Sequence, residues 1–289
     1  MTASSPPTRR VVDIIELLAE RHGTATRLSD IVGALGLNQA TAYTILKELG
    51  ETGWVTRDPA DKTFSVGAAL VRLAGQIDQS PSIGHAARAA ATAAARDTGY
   101  AASVSERVGD SLVITAFIAG HDDQWSASTG DRLPFAAPFG SAYAAWEPAA
   151  ERRAWIRRSG VKSPAFEARL QEQLAESLNR GFSVERLSPE MASAIPVMTK
   201  LHMDALSDSM RDHLNEVLIE IACATEHSSK VGGRHRQYIG AITAPVLNRL
   251  GRATHNLCVH PFTTLSSRDV TRIGREIHQA ASAISAHAN

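Results

Sequence analysis

The hydrophobic positions of the first fifty residues recur at helical spacing in separate stretches. The first stretch, 9–23, predicts an amphipathic helix that Gly23 ends. Its buried stripe is predicted to comprise Val11, Val12, Ile15, Leu18 and Ala19. The second stretch, 28–37, predicts a shorter helix that Ser29 caps and Gly36 stops. The pattern therefore begins with two consecutive helices whose apolar faces turn inward.

A third helix is predicted after a turn of only two residues, Gly36-Leu37. Asn38 is its expected N-cap. Its apolar stripe is predicted to comprise Ala42, Ile45, Leu46 and Leu49. Two helices joined by so tight a turn resemble a helix-turn-helix, in which the second helix places its N-terminal residues against base edges.

Two short runs of alternating residues follow the third helix. Residues 54–58 and 63–66 predict strands, and 58–62 (DPADK) predicts the turn between them. Three helices followed by a hairpin make a winged helix. The first predicted domain is therefore a winged helix-turn-helix over 1–66.

Small and polar side chains occupy the start of the third helix, as contact with DNA bases requires. The predicted DNA-contacting residues of this helix are Gln39, Ala40, Thr41, Tyr43, Thr44 and Lys47. Lys47 is expected to reach a phosphate. Arg57 and Lys62 flank the tip of the wing, where they would contact the DNA backbone or the minor groove.

The net charge of the predicted winged helix counts against DNA binding. Residues 1–67 carry seven Lys or Arg and eight Asp or Glu, a net charge of −1, and the whole chain carries 30 of each kind. Neutralised phosphates supply much of the affinity of a DNA-binding domain. Winged helices also dock other proteins, so a metabolite-sensing protein with a protein-docking winged helix is the alternative. A dimer would relax the demand for charge by doubling the contacts.

A domain boundary is predicted near residue 80. Residues 67–80 have the apolar spacing of a linker helix, which could pair two chains, and Pro81 and Gly84 interrupt the pattern. The chain is thereby divided into the winged helix, the linker helix and a second domain over 81–289.

The second domain mixes predicted helices and strands. Helices are expected over 82–99, 139–158, 164–180 and 266–287, and strands over 100–107, 110–120, 237–246 and 252–261. Ser266 and Asp269 have the spacing of a capping box at the start of the last helix. The buried stripe of that helix is predicted to comprise Val270, Ile273, Ile277, Ala281 and Ile284. Antiparallel strands flanked by helices predict an α+β, sensor-like domain.

In this order the elements resemble the IclR family of bacterial transcription regulators. The segments that carry the resemblance are SDIVGALGLNQATAYTILKELGETGWV in the first domain, GDRLPFAAPFGSAYAAW at 130–146, LNRGFSVERLSPEM at 178–191 and ITAPVLNRLGRATHNLCV at 242–259. The resemblance implies a GAF-like (profilin-like) second domain that binds a small-molecule effector. It also implies a homodimer, or a homotetramer made of two dimers, on a two-fold symmetric DNA operator. Repression and activation both stay open.

The resemblance also implies where the effector binds. The residues that would line its pocket are Gly130, Leu133, Pro134, Phe135, Ala136, Phe139, Gly140, Thr243, Asn248 and Cys258. Asn248 stands where many members have Asp, so a polar anchor is altered. Together with the methionines of an inserted segment, this predicts a larger and more hydrophobic effector than a two- or three-carbon acid.

Two departures from the family pattern concern the sites. The residues ATAYT at 40–44 stand where many members have Ser-Thr-x-x-Arg, which removes a bidentate reader of DNA. An insertion over 195–226 has helical apolar spacing. It would add packing, cover a subunit interface or reshape the effector pocket.

Catalytic and cofactor motifs are absent from the sequence. It contains no GxSxG, P-loop, GxGxxG or HExxH motif, so neither an enzyme nor a cofactor is expected. His121 with Asp122 and Asp123 is interpreted as a solvated loop rather than a metal site. Cys258 and His260 share a face of one strand. A catalytic pair is conceivable there, but a buried cysteine, or a thiol lining the effector pocket, is the commoner arrangement.

Compartment and membrane topology follow from composition. Cys223 and Cys258 have neither the number of a disulfide framework nor the spacing of a zinc site. No apolar run approaches the length of a bilayer span, and the first ten residues lack an apolar signal core. The sequence therefore predicts a cytoplasmic protein without a membrane partner.

Overall fold

The structure, a computed structural model, describes residues 6–21, 23–79, 82–121, 127–186, 229–231 and 234–287. The predicted insertion over 195–226 lies outside the described residues, as do Asp122 and Asp123. Two compact units make up the chain, Met1–Ser80 and Pro81–Asn289. No helix among the described residues is long and apolar enough to cross a bilayer.

The first unit begins with helices packed around a small core. The helices are α1 (Pro6–Glu20), α2 (Leu28–Leu35) and α3 (Gln39–Glu51). Their buried residues form one cluster with the strands that follow, namely Ile14, Leu18, Ile31, Leu46, Leu49, Val55 and Phe64. The helices predicted from hydrophobic spacing are thereby confirmed.

The apolar stripe of α1 is rotated relative to the predicted one. Ile14 and Leu18 are buried, and Val11 packs beside them. Val12 is 41% exposed and Ala19 is exposed as well. The prediction that Val12 and Ala19 are buried is wrong, because the positions three and seven residues after Val11 already complete the stripe.

The start of α2 also differs from the predicted one. Ser29 is not the N-cap, since the helix begins at Leu28 and Arg27 holds the extended cap position. The Asp30 carboxylate accepts a hydrogen bond from the backbone N–H of Arg27 at 2.8 Å. A carboxylate in the first turn also interacts favourably with the helix dipole. The acidic residue, rather than the serine, therefore marks this helix start.

The turn between α2 and α3 is built as predicted. Gly36 ends α2 with φ of 61°, in the left-handed region that glycine adopts at little cost. Asn38 caps α3, because its side-chain oxygen accepts a hydrogen bond from the Thr41 N–H at 2.7 Å. These two caps fix the first turn of α3, which carries the predicted DNA contacts.

The predicted wing is confirmed, and a helix follows it. These elements are β1 (Val55–Arg57), β2 (Phe64–Val66) and α4 (Ala68–Gln79), and the two strands pair antiparallel. The Gly67 N–H donates to the Trp54 carbonyl at 2.7 Å. A Cβ on Gly67 would lie 2.2 Å from the Gly53 carbonyl oxygen. Only glycine therefore permits the close approach that ties the start of α4 to the wing.

The second unit is built on an antiparallel sheet with helices packed against it. Its strands are β3 (Ala101–Val108), β4 (Ser111–Ile118), β5 (Arg132–Pro134), β6 (Ser183–Arg186), β7 (Ser229–Val231), β8 (Arg234–Leu247), β9 (Ala253–His260) and β10 (Thr263–Ser266). Its helices are α5 (Ile83–Thr98), α6 (Ser141–Ala144), α7 (Ala149–Arg158), α8 (Pro164–Arg180) and α9 (Ser267–His287). Neighbouring strands run β6-β8-β9-β3-β4-β5, and β7 and β10 also pair with β8. The predicted α+β fold class is confirmed.

Some boundaries in this unit were not predicted correctly. Residues 139–158 form two helices instead of one, because α6 ends at Ala144 and α7 begins only after Pro148, which lacks a backbone N–H. The short strands β5, β6, β7 and β10 were not predicted. Each has only three or four residues, too few to show an alternating pattern.

One face of the sheet is apolar and packs against α5 and α9. Its strands contribute Ala102, Val104, Ile242, Ala244, Val246, Leu257 and Val259 to one buried cluster. The predicted stripe of the last helix is confirmed, since Val270, Ile273, Ile277, Ala281 and Ile284 are all buried in this cluster. Ser266 caps the helix by accepting from the Asp269 N–H at 3.2 Å. Burial of this face is the main favourable contribution to folding of the unit.

The helices α6, α7 and α8 form a second buried cluster. Tyr143 of α6 donates its hydroxyl hydrogen to the carbonyls of Ser105 in β3, at 2.7 Å, and Thr254 in β9, at 3.2 Å. Its ring meets Phe135 edge to face, with the centroids 6.2 Å apart. These contacts hold α6 against the central strands.

A charged cluster holds α7 beside the end of β3. Arg107 and Arg158 lie over the ring of Phe135, at 4.1 and 5.0 Å from its centroid. Arg107 pairs with Glu147 at 3.1 Å and with Glu151 at 2.9 Å, and Arg158 also pairs with Glu151 at 2.9 Å. Hydrogen bonds from Arg158 and then Arg107 hold the pKa of the Glu151 carboxyl below its usual range.

Glu151→Gln is expected to lower the free energy of unfolding by about 1–2 kcal/mol at pH 7, because two charge-assisted hydrogen bonds to a partly exposed carboxylate are weakened. Pairing lowers the native pKa, so the stabilisation is present above the unfolded value and is lost as the pH falls through the native one. Thermal unfolding of wild type and variant at pH 7 and below pH 4 measures the change. The difference between them should shrink in acid.

Glu276→Gln is the matched control, since it weakens the exposed pair with Arg272. It should change stability by less than about 0.5 kcal/mol at either pH. An equal loss for Glu151→Gln at both pH values would contradict the electrostatic role of Glu151.

Candidate functional site

The start of α3 presents a solvent-exposed face in the first unit. Gln39, Ala40, Tyr43, Thr44 and Lys47 are exposed, and Tyr43 is exposed to 51%. The opposite side of the helix is buried through Ala42, Leu46 and Leu49. Thr41 is only half-buried. The structure therefore brings the predicted DNA-contacting residues of this helix together on one accessible surface, with Thr41 at its margin.

Two contacts within α3 define what this surface can offer DNA. The Thr44 hydroxyl donates to the Ala40 carbonyl at 2.9 Å, which leaves its lone pairs to accept from a base or a backbone group. Lys47 lies 3.7 Å from Glu51 across one turn, and both side chains are mostly exposed. Such a pair contributes little stability, so Lys47 can exchange Glu51 for a phosphate.

The predicted residues of the wing are exposed as well. Arg57 lies over the Phe64 ring at 5.7 Å from its centroid, so the guanidinium stays beside the hairpin. Lys62 adopts φ of 61° at the tip, and its N–H donates to the Asp58 carbonyl at 3.0 Å. Arg57 and Lys62 therefore both lie on the wing hairpin, which is a different element from α3.

Arg10 was not among the predicted contacts. It is exposed and lines a groove between the first turn of α1 and the start of α3, together with Pro7, Ala40 and Thr44. The neighbouring Arg9 pairs with Asp13 at 2.7 Å. Sequence spacing could place Arg10 on an exposed side of α1. Only the packing of α1 against α3 places it beside the exposed face of α3.

In the second unit, the predicted segment 130–140 is mainly a packing segment. Phe135 is fully buried against the two arginines described above, and Ala136 is buried as well. Leu133 and Pro134 belong to β5. The Phe139 carbonyl accepts from the Trp155 ring N–H at 2.7 Å. The Phe135 side chain therefore belongs to the core.

The two glycines of this segment differ in their surroundings. Gly140 has φ of 77°, and a Cβ there would lie 2.7 Å from Leu112. Gly130 has φ of 99° in an exposed turn, and its N–H donates to the Ile114 carbonyl at 2.7 Å. Gly140 is the N-cap residue of α6, which contacts β8 and β9, whereas Gly130 bonds to β4.

Thr243 and Cys258 occupy one row across the sheet. Ser183 of β6 pairs with Thr243 of β8, Thr243 pairs with Cys258 of β9, and Cys258 pairs with Ser103 of β3. Directly paired residues point to the same face of a sheet. The Thr243 hydroxyl donates to the Cys258 sulfur at 3.0 Å. All four residues are buried.

A second row lies two residues along each strand, on the same face. It contains Glu185 opposite Ala241, and His260 on the neighbouring strand. The His260 Nε2 lies 2.8 Å from the Ser103 hydroxyl, and its ring stacks on Phe262 with centroids 6.3 Å apart. We call Ser103, Ser183, Glu185, Thr243, Cys258 and His260 the polar floor. It lies on the face opposite the one that packs against α5 and α9.

Burial controls the ionisation of the polar floor. It raises the pKa of the Glu185 carboxyl to about 7 and lowers the pKa of His260 to about 3. It also raises the pKa of the Cys258 thiol far above its usual value. The Cys258 sulfur lies 3.8 Å from the His260 Nδ1, but a neutral thiol beside a neutral imidazole lacks the thiolate that nucleophilic catalysis requires. Glu185 is therefore the group of the floor that carries charge, about half-ionised at pH 7 and mostly ionised at pH 8.

Asn248 is placed away from the polar floor. Its side-chain oxygen accepts from the N–H groups of Leu250 and Arg252, at 2.9 and 3.1 Å, in the turn between β8 and β9. It follows Thr243 by five residues, or about 16 Å along an extended strand. In this structure Asn248 shapes the turn.

Four members of the floor were not predicted as site residues from the sequence, namely Ser103, Ser183, Glu185 and His260. Ser103 and His260 lie in predicted strands, and His260 was considered only for catalysis. Ser183 and Glu185 lie in β6, which is too short to predict from alternation. The signal that could have found them is the pair of polar residues separated by Val184, whose side chain packs with the apolar cluster on the other face.

Comparison with known proteins agrees with this architecture. Residues 7–59 match the family described as the IclR helix-turn-helix domain. The chain is similar in structure to an IclR transcriptional regulator from Alicyclobacillus acidocaldarius, with 19% identity, a TM-score of 0.70 and coverage of 99% of this chain and 100% of that chain. No curated protein matches the chain significantly.

Two further structures are similar over nearly the whole chain. One is an IclR homolog from Microbacterium hydrocarbonoxydans complexed with 4-hydroxybenzoate, with 15% identity, a TM-score of 0.64 and coverage of 97% of this chain and 99% of that chain. The other is Pseudomonas aeruginosa HmgR, with 16% identity, a TM-score of 0.62 and coverage of 98% and 99%. At these identities the likeness establishes a shared fold.

Proposed function

We propose that this chain, which has an IclR helix-turn-helix domain and the fold of IclR transcription regulators along its length, is a ligand-responsive transcription regulator. It reads a DNA operator with α3 and binds a small-molecule effector in the second unit. The observation that carries the proposal is the exposed face of α3, where small and polar residues follow a capped, two-residue turn.

The packing of α3 presents its N-terminal residues in a fixed position. A recognition helix must offer its N-terminal residues to base edges without rearranging. Here the left-handed Gly36 and the Asn38 cap fix that end, and Leu46 and Leu49 anchor the opposite face. Gln39 can read adenine through its amide, and Arg10 and Lys47 can neutralise phosphates. The surface therefore suits DNA better than an apolar protein partner.

A mobility-shift assay against the DNA upstream of its own gene tests this function. Binding should weaken as the salt concentration rises, because phosphate contacts release counterions. Absent or salt-independent binding would instead support the alternative, a sensor whose winged helix docks another protein.

The effector is proposed to bind above the polar floor. Thr243 and Cys258 are the predicted contacts that belong to the floor, and the Microbacterium homolog complexed with 4-hydroxybenzoate supports an aromatic ligand of moderate size. This agrees with an effector larger than a two- or three-carbon acid.

We assign no reaction to Cys258 and His260, and we place the regulator in the cytoplasm.

Gln39→Ala and Thr44→Ala are each expected to reduce discrimination between operator and unrelated DNA by about 1–3 kcal/mol, because each removes a polar group facing the base edges. Competition binding with operator and scrambled duplexes measures this. Equal discrimination by wild type and both variants would remove α3 as the reader.

Lys47→Ala and Glu51→Gln are expected to change affinity in opposite directions. Loss of Lys47 should weaken binding to all sequences alike and reduce the salt slope by about one phosphate contact. Loss of the Glu51 charge frees Lys47 from its partner and should strengthen binding to all sequences. Titrations of operator and scrambled DNA over a range of salt concentrations measure both. The charge argument fails if both substitutions weaken binding.

The protein is expected to bind as a dimer, or as a tetramer of dimers, because one winged helix with a net charge of −1 offers few phosphate contacts. Two copies should protect a two-fold symmetric site with half-sites one DNA turn apart, about 34 Å, or a multiple of it. Footprinting measures the symmetry, and analytical ultracentrifugation the mass. A monomer at micromolar concentration with an asymmetric footprint is the outcome that contradicts this.

A further inference from the structure

Two buried side chains, Ser183 of the polar floor and Asn256 beside it, have polar atoms without a hydrogen-bond partner among the described residues. Ser183 is 3% exposed, and its hydroxyl oxygen has no partner among the described residues. Asn256 lies two residues before Cys258, on the same face, and is also 3% exposed. Its side-chain oxygen likewise has no partner in the described part of the chain. Buried polar atoms of this kind are normally satisfied by protein, water or ligand.

Glu185 adds a carboxylate to these two groups, of which the Asn256 oxygen only accepts and the Ser183 hydroxyl both accepts and donates. It lies in the same strand as Ser183, two residues on, and therefore on the same face. Burial alone shifts the pKa of this carboxyl, and the carboxylate is close enough to raise the pKa of Cys258. Among the described residues no cation or hydrogen bond offsets this burial. A hydrogen-bond donor placed against the carboxylate would do so.

The cations beside the floor are already engaged. Arg186 follows Glu185, but its Nε donates to Gln237 at 2.9 Å and its guanidinium lies 3.6 Å from Glu176. Arg107, at the end of β3, is held by two glutamates, as described above. In the described ranges the floor itself contains no Lys or Arg, and His260 is neutral at physiological pH. A ligand carboxylate over Glu185 would thus face a like charge in a partly desolvated site.

We propose that the effector is an uncharged molecule that presents hydroxyl or N–H donors to Glu185, Ser183 and Asn256. This inference rests on the proposed function and names its ligand class. Donors on the ligand satisfy the acceptor atoms, and the ligand carries no carboxylate towards the floor. Phenols, catechols and their alcohols have this chemistry.

The rows of the floor also limit the shape of the ligand. Neighbouring strands lie about 4.8 Å apart, and residues two apart on one strand lie about 6.6 Å apart. Ser183 and Glu185 are therefore spaced for two donors on one ring. Asn256 lies one strand beyond β8 and, in register, two residues past the Thr243 row. The Cα atom of Asn256 therefore lies about 12 Å from that of Ser183 and about 16 Å from that of Glu185. One aromatic ring with donors at its two ends bridges the shorter distance once a hydrogen bond at each end is included, and the longer Glu185 side chain has to reach towards the ring.

The test uses two matched pairs of probes with the full chain at pH 8. The pairs are 4-hydroxybenzyl alcohol with 4-hydroxybenzoate, and 3,4-dihydroxybenzyl alcohol with 3,4-dihydroxybenzoate, so the members of each pair differ in the carboxylate. Isothermal titration calorimetry measures each Kd. Wild type should bind each alcohol about tenfold more tightly than its acid.

Three variants assign the preference to the floor. Glu185→Gln should reduce the preference for the alcohols to less than about threefold, because the like charge is removed. Ser183→Ala should weaken binding of the alcohols by about three- to tenfold, since one hydrogen bond is lost. Glu172→Gln, which removes an exposed carboxylate paired with Arg169 on α8, should leave both values unchanged. Circular dichroism checks that each variant is folded. If Glu185→Gln does not fold, the binding data for Ser183→Ala still test the inference.

Three results would overturn the inference: tighter binding of the acids by wild type, an unchanged preference in folded Glu185→Gln, or no binding of any probe at millimolar concentration. Operator binding by the same proteins separates this from the proposed function. If wild type binds its operator but prefers the acids, only the ligand class is wrong. If wild type binds no operator, the proposed function is wrong, whereas the calorimetry still decides the ligand class.

Discussion

The central sheet of the second unit has two chemically different faces, because successive side chains of a strand point to opposite sides. The face towards α5 and α9 is uniformly apolar, and its burial holds the unit together. The same constraint sends Ser183, Thr243, Cys258 and Ser103 to the opposite face in one row. A shift of one residue in the pairing of β6 would bury Glu185 in the apolar core and expose Val184, so the core fixes the composition of the polar floor.

The helices next to the polar floor are held in place by contacts that do not involve the unpartnered groups of the floor. Tyr143 fastens α6 to the backbones of β3 and β9, and the arginines around Phe135 fasten α7 beyond the end of β3. These contacts use backbone carbonyls and paired charges, and they make no demand on Ser183 or Glu185. Ser183 and Glu185 therefore remain outside the hydrogen bonds that hold these helices, as is usual for the polar groups of a binding site on a preformed scaffold.

Much of the fold follows from local sequence rules. The turn at Gly36, the Asn38 cap and the stripe of α9 depend on residues close in sequence, and each was predicted. Errors arise where the deciding partner is distant or the element is short: Asp30 rather than Ser29 starts α2, and β6 has four residues. The exposed face of α3 could be predicted because one helix carries it. The polar floor could not, because it requires the register of β6, β8, β9 and β3, which no local pattern contains.

The low charge of the first unit constrains how such a regulator can respond to a ligand. A strongly basic domain would bind DNA without help, and a signal from the second unit would then have to overcome that affinity. With a net charge of −1 over residues 1–67, each copy in the proposed dimer would contribute few phosphate contacts, and tight binding would require two reading helices held at the spacing of the half-sites. Affinity then depends steeply on the geometry and linkage of the copies. A modest differential affinity of the effector for two arrangements of the copies is therefore enough to control operator binding, because a ligand shifts an equilibrium only by that difference.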